Sequence, residues 1–238
     1  MQYGIHELKL DLERHQNVRV DLSITPLYVR TRGEDQLAMR SILALCQGPS
    51  RYRRNRPIFF EEDPADYFFF LSGGVVRTCR SFKEGKRSVV AFHLAGEFFG
   101  LDGEMTHSLC AEAATDVTVL PLKRSAVLAA ALCDRSISNL LLTTMAKEIR
   151  RLREHTVLIG RDAHCRLATF LIDLSSRLGQ TYDLDLPMPH RDIADYLGLS
   201  IETVSRGITE FERLGYIARI STRSLILRNR AALARLMQ

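Results

Sequence analysis

The sequence predicts an α+β fold in which an antiparallel β module precedes a helical C-terminal half. Short aromatic and β-branched runs separated by glycine turns fill residues 58–122, at the spacing of about 8–12 residues that is typical of an antiparallel roll or barrel. A long helical pattern follows at residues 137–159. Two short amphipathic helices joined by a glycine then lie between residues 190 and 214.

The beginning of the chain lacks a sustained hydrophobic period. Residues 1–34 alternate charged and apolar side chains, so we expect a partly ordered N-terminal extension. Apolar residues at helical spacing then indicate a short helix over residues 35–46. The arginine cluster after it is typical of a solvated entry into a strand, with a nucleic-acid patch as the alternative; its members are Arg51, Arg53, Arg54 and Arg56.

The β module is predicted from the alternation of strand-like runs and turn residues. Gly73-Gly74 and the segments 83–86 and 95–97 are turn signals. The strands between and around them are expected at residues 58–60, 67–71, 75–80, 88–93, 111–114 and 117–120.

The long helix over residues 137–159 has one apolar face and one charged face. Its length and its narrow stripe favour pairing with a second copy of itself, and the alternative is packing against its own β module. Gly160 is expected to end the helix and to act as a hinge. The stripe assigned to the dimer interface comprises Leu140, Leu141, Met145, Ile149, Leu152 and Ile159.

The C-terminal segment predicts a helix–turn–helix followed by a hairpin. A helix over residues 165–178 ends at Gly179, and a short strand is expected at residues 184–186. Gly198 should end the next helix, and Ser200 should cap the one after it. Strands over residues 216–220 and 224–227 form the hairpin. The apolar stripe of the second short helix comprises Val204, Ile208, Phe211 and Leu214.

The first turns of that second helix carry a polar outer face formed by Glu202, Ser205 and Arg206. A helix–turn–helix points such residues at base edges in the major groove. A carboxylate can accept from cytosine N4, and a guanidinium can donate two bonds to guanine. The alternative is a solvated ion pair worth a few tenths of a kcal/mol. The glycine corner, capping serine and apolar stripe favour base reading. Candidates for phosphate contacts are His190, Arg191, Ser200, Thr203 and Arg223.

Composition is compatible with an anionic partner. The chain has 238 residues, is 46% hydrophobic and carries a formal net charge of +5, so it can bury a core and form two small domains. From residue 201 onward, seven arginines oppose three glutamates, a balance of +4. The sequence contains no run of about 18 apolar residues and no signal-peptide pattern, so we expect a cytoplasmic protein without a membrane partner.

The five cysteines show no metal or disulfide spacing. They are spread singly, without a C-x-x-C motif, and most are expected to be small core residues. Whether any of them senses oxidation depends on its exposure and its pKa. They are Cys46, Cys79, Cys110, Cys133 and Cys165.

The residues of the helix–turn–helix carry a family resemblance. The segments 192–198, 202–206 (ETVSR) and 214–217 resemble the winged helix–turn–helix of the cyclic-AMP receptor protein and FNR superfamily of bacterial regulators. The Glu-x-x-Ser-Arg pattern is similar to that of the FNR and FixK branch. It implies recognition of the FNR-type DNA half-site, TTGAT paired with ATCAA. Residues 96–100 (GEFFG) resemble the superfamily's β-roll, so the likeness covers residues 35–230.

The resemblance implies four segments. They are an N-terminal extension over residues 1–34, an effector-like β-roll of the cyclic-nucleotide-binding type over 35–134, a dimerisation helix over 135–160 and a winged helix–turn–helix over 161–238.

The residues that bind cofactors in the superfamily are absent from the matching positions. Leu101 stands where cyclic-nucleotide binders have a glutamate, and residues 106–111 lack the arginine for the phosphate. An iron–sulfur cluster needs several thiolates near the N-terminus, whereas the first cysteine is Cys46. His93 and His107 could ligate haem, but such histidines are more often polar surface residues. We therefore expect no cofactor and no metal.

The resemblance implies a sequence-specific, homodimeric transcription regulator, expected to act as an activator, that binds double-stranded DNA at a TTGAT-N4-ATCAA-like palindrome. It further implies contact with RNA polymerase, for which residues 83–86 are a candidate surface, and control of low-oxygen respiration or nitrogen-metabolism genes. The alternative is a sensor of the same fold that responds to haem, a small ligand or thiol oxidation. An enzyme fits worst, because G-x-S-x-G, H-E-x-x-H and phosphate-binding glycine loops are absent.

Overall fold

The computed structural model describes residues 33–81, 87–102 and 105–237. The predicted N-terminal extension, apart from its last two residues, and the proposed polymerase contact at 83–86 lie outside the described residues. The first half contains α1 (Gly33–Leu43) and strands β1 (Ser50–Tyr52), β2 (Pro57–Phe59), β3 (Tyr67–Gly73), β4 (Val75–Ser81), β5 (Arg87–Leu94), β6 (Phe98–Phe99), β7 (Cys110–Ala113) and β8 (Val117–Lys123).

The second half is largely helical. It contains α2 (Arg124–Cys133), α3 (Arg135–Ile159), α4 (Ala163–Leu178), β9 (Asp183–Asp185), α5 (His190–Leu197), α6 (Ile201–Arg213), β10 (Ile217–Ser221), β11 (Ser224–Leu227) and α7 (Arg230–Arg235). Strands β10, β11 and β9 form a small antiparallel sheet, which includes the predicted hairpin.

The β module is a roll of two four-stranded antiparallel sheets, ordered β1-β8-β3-β6 and β2-β7-β4-β5. Apolar side chains from both sheets fill the space between them, and Phe59, Phe69 and Phe99 stack there with centroids 5.2–6.2 Å apart. The predicted strands are confirmed. Strands β1 and β6 were not predicted, because they have only three and two residues, too few for an alternating pattern to be recognised.

The helices α1, α2 and α3 close one end of the roll. Their apolar residues share a core with the roll, including Ile42, Phe70 and Val127. Helix α2 was not predicted. Asp134 then caps α3 by accepting a bond from the Ser136 amide at 2.8 Å.

The C-terminal domain packs against the outer face of the sheet β2-β7-β4-β5. Its own core contains Leu171, Val204 and Phe211, and the same cluster continues into Val89 and Phe92 of β5. The roll and the C-terminal domain therefore share buried apolar surface, which holds them in one relative position.

The connection between α3 and α4 differs from the expected hinge. Helix α3 ends at Gly160 as predicted, but Gly160 has φ −77°, a right-handed conformation open to any residue. The additional backbone conformations that glycine allows are therefore not needed at this position. Within the described residues, no helix combines the length and hydropathy that a membrane-spanning segment requires.

Candidate nucleic-acid interface

The corner between α5 and α6 has the predicted local structure. Gly198 adopts φ +62° and ends α5, because a left-handed residue cannot continue the helix. The Ser200 hydroxyl accepts from the Thr203 amide at 3.1 Å and caps α6, and the two hydroxyls lie 3.0 Å apart. These contacts fix the angle at which α6 leaves the corner.

The inner face of α6 is fully packed. Val204, Ile208 and Phe211 are each at most 1% exposed. A Cβ at Gly207 would lie 2.7 Å from a methyl group of Leu167 in α4, so the two helices approach closely there. The inward assignment of Leu214 was wrong. It is 44% exposed, because it lies beyond the end of the helix, where the chain turns away from the core.

The outer face of α6 presents exposed polar groups. Glu202, Ser205 and Arg206 are all exposed. The guanidinium of Arg206 lies 3.4 Å from the backbone carbonyl of Glu202, and no salt bridge joins these two side chains, both of which the structure describes. The pKa of Glu202 is lowered by its own amide and by the Ser200 hydroxyl, which keeps the carboxylate ionised. Both groups are therefore available to an external partner.

The candidate phosphate contacts lie around this face. Arg191 and Ser200 are exposed and Thr203 is partly exposed. Arg223 is exposed in the turn between β10 and β11. His190 is half-buried, and its pKa is lowered by burial and by Arg219, so it contributes no charge at neutral pH.

Two arginines that the sequence did not single out support the same surface. Arg166 of α4 donates to the carbonyls of Leu197 and Gly198 at 3.0 and 3.3 Å, which holds the corner. Arg219 of β10 donates to the Thr209 hydroxyl at 3.2 Å and so links the hairpin to α6. Spacing in the sequence gives no signal for either contact.

A buried ion network joins α5 to the roll. Asp192 is 2% exposed and accepts from Arg77 at 2.6 Å and from Arg87 at 2.5 Å. Arg77 also contacts Glu112 of β7 at 2.7 Å, and Arg87 contacts Asp195 at 3.1 Å. Since a buried carboxylate needs such partners, this network positions the first helix of the pair.

Glu97 connects three elements at a second junction. Its carboxylate accepts from Arg151 of α3 at 2.7 Å and from Arg177 of α4 at 2.9 Å. Burial opposes its ionisation, but the two arginines outweigh burial and hold the pKa of Glu97 at about 2. Nearby, His155 of α3 stacks on Tyr196 of α5 and contacts its carbonyl at 2.8 Å.

The predicted counterpart of the phosphate-binding segment, residues 106–111, already bonds to a carboxylate. Asp102 accepts from the amide and hydroxyl of Ser108 at 3.2 and 2.7 Å and contacts His107 at 2.8 Å. Burial opposes ionisation, yet these bonds hold the pKa of Asp102 at about 2. Leu101 packs against the core below α3.

The expectation that His93 and His107 lie at the surface was wrong. His107 is 2% exposed and stacks on Phe59 at 3.7 Å. His93 is 5% exposed, lies 3.3 Å from the Thr78 hydroxyl, and its pKa is lowered to about 4 by burial. His93 lies in β5, where the last three residues are all buried, and His107 lies in the loop before β7. Neither position follows an alternating pattern that the sequence could reveal.

The apolar stripe of α3 is displaced from the predicted one. Leu140 and Leu141 are 5% and 6% exposed, because they pack into the core shared with α1 and the roll. They are therefore corrected from dimer-interface to core residues. Farther along, Ile149, Leu152 and Ile159 are 40–50% exposed and Met145 is partly exposed.

One cluster has donor atoms of the kind that soft metals prefer. Among the residues that the structure describes, Cys79, Cys110 and Glu112 form the one group of three whose ligand atoms all lie within 4.8 Å of one another. Of the other thiols, Cys46 bonds to Gly48, Cys133 is exposed and Cys165 is buried.

Comparison with known proteins gives two family matches. Residues 165–236 match the Crp-like helix-turn-helix domain, and residues 49–132 match the cyclic nucleotide-binding domain. The first match contains the whole surface around α6, and the second contains most of the roll.

Several relatives span most of the chain. It is 37% identical over 201 residues to the nitrogen fixation regulation protein FixK of Azorhizobium caulinodans, covering 82% of this chain and 81% of that protein. It is 40% identical to FixK of Rhizobium meliloti over 175 residues, covering 73% and 80%. The structure of FixK2 from Bradyrhizobium japonicum matches with a TM-score of 0.77 and 38% identity, over 80% of this chain and 97% of that one.

Proposed function

Because this chain belongs to the CRP/FNR family of transcription regulators, among its FixK-like members, we propose that it binds a TTGAT-N4-ATCAA-like palindrome as a homodimer. DNA binding and regulation follow from the family itself, and no enzyme family is indicated. The site, the assembly and the mode of control are the finer parts of the proposal.

The observation that carries the proposal is the pair of exposed, oppositely charged side chains at the front of α6. Glu202 and Arg206 are exposed on a capped, rigidly packed helix and are not consumed by an ion pair with each other. Arg206 donates to guanine O6 and N7, and Glu202 accepts from cytosine N4. Ser205 lies between them and can bond to either base type.

The surrounding polar groups position this helix on the duplex. Arg191, Ser200, Thr203 and Arg223 contact phosphates, which fixes register without specifying sequence. His190 can share in this only as a neutral hydrogen-bonding group, because its pKa is lowered. The charge surplus after residue 200 supports the same arrangement.

Dimerisation occurs through α3. Leu142, Met145, Ile149, Leu152, Thr156 and Ile159 recur at alternating intervals of three and four residues, and all are at least partly exposed. This is the a/d spacing of a two-stranded coiled coil. A two-fold axis along this stripe places two copies of α6 for half-sites about 34 Å apart. In this proposal the chain is divided into an N-terminal extension (1–34), the β-roll (35–134), the dimerisation helix (135–160) and the DNA-binding domain (161–238).

The roll acts without a cyclic nucleotide. A phosphate entering the segment around Ser108 would meet the Asp102 carboxylate, which already uses the donors there. Two anions at this distance repel strongly when partly buried. An iron–sulfur cluster is also unexpected, because it needs several closely spaced thiolates near the N-terminus and the first cysteine is Cys46.

The physiological role follows from the relatives. Two of them are named for the regulation of nitrogen fixation, and we extend this to activation of low-oxygen respiration or nitrogen-metabolism genes through contact with RNA polymerase, inside the cytoplasm.

Selection of bound DNA from a random pool tests the proposal. The purified protein, without added nucleotide and at a stated salt concentration, should enrich a two-fold TTGAT and ATCAA motif with a fixed spacer. Sedimentation of the same sample should give a dimer. Enrichment of unrelated sequences, or enrichment only after cyclic AMP is added, would contradict it.

A further inference from the structure

A pair of thiols lies on the face of the roll that carries the C-terminal domain. Cys79 in β4 and Cys110 in β7 are direct partners in the antiparallel register, and their sulfurs are 3.0 Å apart. The Cys110 thiol also donates to the Cys79 carbonyl at 3.0 Å. The other three cysteines make no such contact with a second thiol in the described part of the chain.

The backbone at this position suits a disulfide. Residues that face each other across antiparallel strands have Cα atoms about 4.5–5.5 Å apart. Disulfides span Cα separations of about 4.4–6.8 Å. The two sulfurs need to approach by about 1 Å to reach bonding distance, which side-chain rotation can supply.

The two thiols are chemically unequal. The hydrogen bond with Cys79 lowers the pKa of Cys110, which is half-buried and therefore open to small reagents. The same hydrogen bond, together with burial, raises the pKa of Cys79, which is 0% exposed. Cys110 is thus suited to attack an oxidant, and Cys79 is suited to resolve the product.

The pair is adjacent to the ion network that holds α5. Glu112 lies two residues after Cys110 on the same strand face, within 4.8 Å of both sulfurs. Its carboxylate accepts from Arg77 at 2.7 Å and contacts Arg87 at 3.3 Å, and both arginines also hold Asp192. A displacement of Glu112 therefore changes the charge balance around Asp192.

We infer that Cys79 and Cys110 form a redox-active dithiol, that hydroperoxides convert it into a disulfide, and that this oxidation weakens DNA binding through Glu112. The side-chain rotation that closes the bond changes the contact of both sulfurs with the Glu112 carboxylate, which lies within 4.8 Å of them, and so displaces that carboxylate from the two guanidinium groups. The network that fixes α5, and with it α6, is then loosened.

The reaction balances with one hydroperoxide per pair. The Cys110 thiolate attacks the peroxide, the O–O bond breaks, and the leaving oxygen takes a proton, giving a sulfenic acid and water or an alcohol. The Cys79 sulfur then attacks the sulfenic sulfur, the S–S bond forms and water leaves. The dithiol loses two electrons and two protons, and the peroxide is reduced.

Mass spectrometry of the full chain tests the bond. The protein carries Cys133→Ser, which removes the exposed thiol, and a chelator keeps metal ions from the cluster. After hydrogen peroxide treatment, denaturation and alkylation, the peptides that contain Cys79 and Cys110 should appear linked and lighter by two hydrogen atoms. Cys46 and Cys165 should be alkylated. Recovery of Cys79 and Cys110 as separate alkylated or sulfinic species would overturn the inference.

DNA affinity tests the coupling, which rests on the DNA-binding function. Oxidation should weaken binding on the order of tenfold, and a dithiol reductant should restore it. Cys110→Ala, chosen because its side chain is half-buried, should bind equally with and without peroxide; its circular dichroism verifies folding. Glu112→Gln should still form the link but respond less. A linked protein with unchanged affinity would overturn the coupling and leave the family function intact.

Discussion

At the scale of single residues, the outer face of α6 combines two properties that usually conflict. Arg206 and Glu202 are exposed and form no salt bridge with each other, while the backbone beneath them is fixed by the Ser200 cap and by the packing of Val204. A side chain on a rigid support loses less entropy when it binds. This makes their replacement the sharpest test of base reading.

Arg206→Ala should weaken binding to the palindrome by about 1–3 kcal/mol and reduce the preference for guanine. The reason is the loss of two hydrogen bonds to one base. Binding curves on the palindrome and on a variant with that guanine replaced measure both effects. Arg213→Ala is the matched control, because Arg213 lies on the same helix and its guanidinium is bonded to Glu210 at 2.7 Å. Equal losses on both DNAs for Arg206→Ala would argue against base reading.

At the scale of elements, α6 depends on its close approach to α4. Gly207 faces Leu167, and no side chain fits between them. The position of α6 is therefore set by the absence of a Cβ atom at one residue.

Gly207→Ala should destabilise the protein by about 1 kcal/mol, since overpacking costs about 1–3 kcal/mol and the gain in helix propensity is about 1 kcal/mol. Urea unfolding measures this change. Gly160→Ala is the control at a glycine whose added Cβ would meet its nearest atom at 3.5 Å. We expect no loss there, and a stable Gly207→Ala protein would show that α4 and α6 can separate.

The sequence located elements whose signals are local. The Gly198 corner, the Ser200 cap and the inward stripe of α6 all lie within a few residues of one another, so periodicity and capping rules predicted them. The Asp192 network was not predictable, because Arg77 lies 115 residues away. Leu140 and Leu141 were misassigned because the apolar stripe of α3 packs against the roll in the first part of the helix and is exposed to solvent in the later part. Spacing cannot reveal that change of neighbour.

At the scale of the whole molecule, two buried junctions hold the C-terminal domain on the roll and on α3. One is the Asp192 network and the other is Glu97 with its two arginines. The Glu97 junction depends on a carboxylate whose pKa is lowered to about 2, so this part of the attachment should depend on pH.

The Glu97 junction should contribute about 3 kcal/mol of stability, from a pKa of about 2 in the folded chain against an ordinary value of 4.5. Because the folded pKa is the lower one, this contribution is complete above about pH 4.5 and disappears as the pH falls towards 2. The stability advantage of the parent over Glu97→Gln should therefore shrink across that interval. Glu154→Gln, at a side chain 67% exposed, is the control. An advantage that stays constant across these pH values would disprove the assignment.

The proposed dimer gives the last prediction. Ile149→Asp places a charge on each side of the two-fold axis in an apolar seam, which costs about 3–5 kcal/mol when unpaired. Sedimentation should show monomers, and affinity for the full palindrome should fall to that for a half-site. Val157→Asp, at an apolar residue 71% exposed on another face of α3, should remain dimeric. A dimeric Ile149→Asp protein would place the interface elsewhere.

The short connection between α3 and α4 has a consequence for operators. Only Gly160, Arg161 and Asp162 separate the two helices, and Asp162 is itself engaged in capping α4. In the proposed dimer, the distance and the orientation between the two copies of α6 are therefore fixed. One inserted base pair in the spacer shifts the second half-site by about 3.4 Å and rotates it by about 35°. A connection of three residues is too short to follow that movement. Promoters should therefore tolerate base substitutions within a half-site better than a change in spacer length.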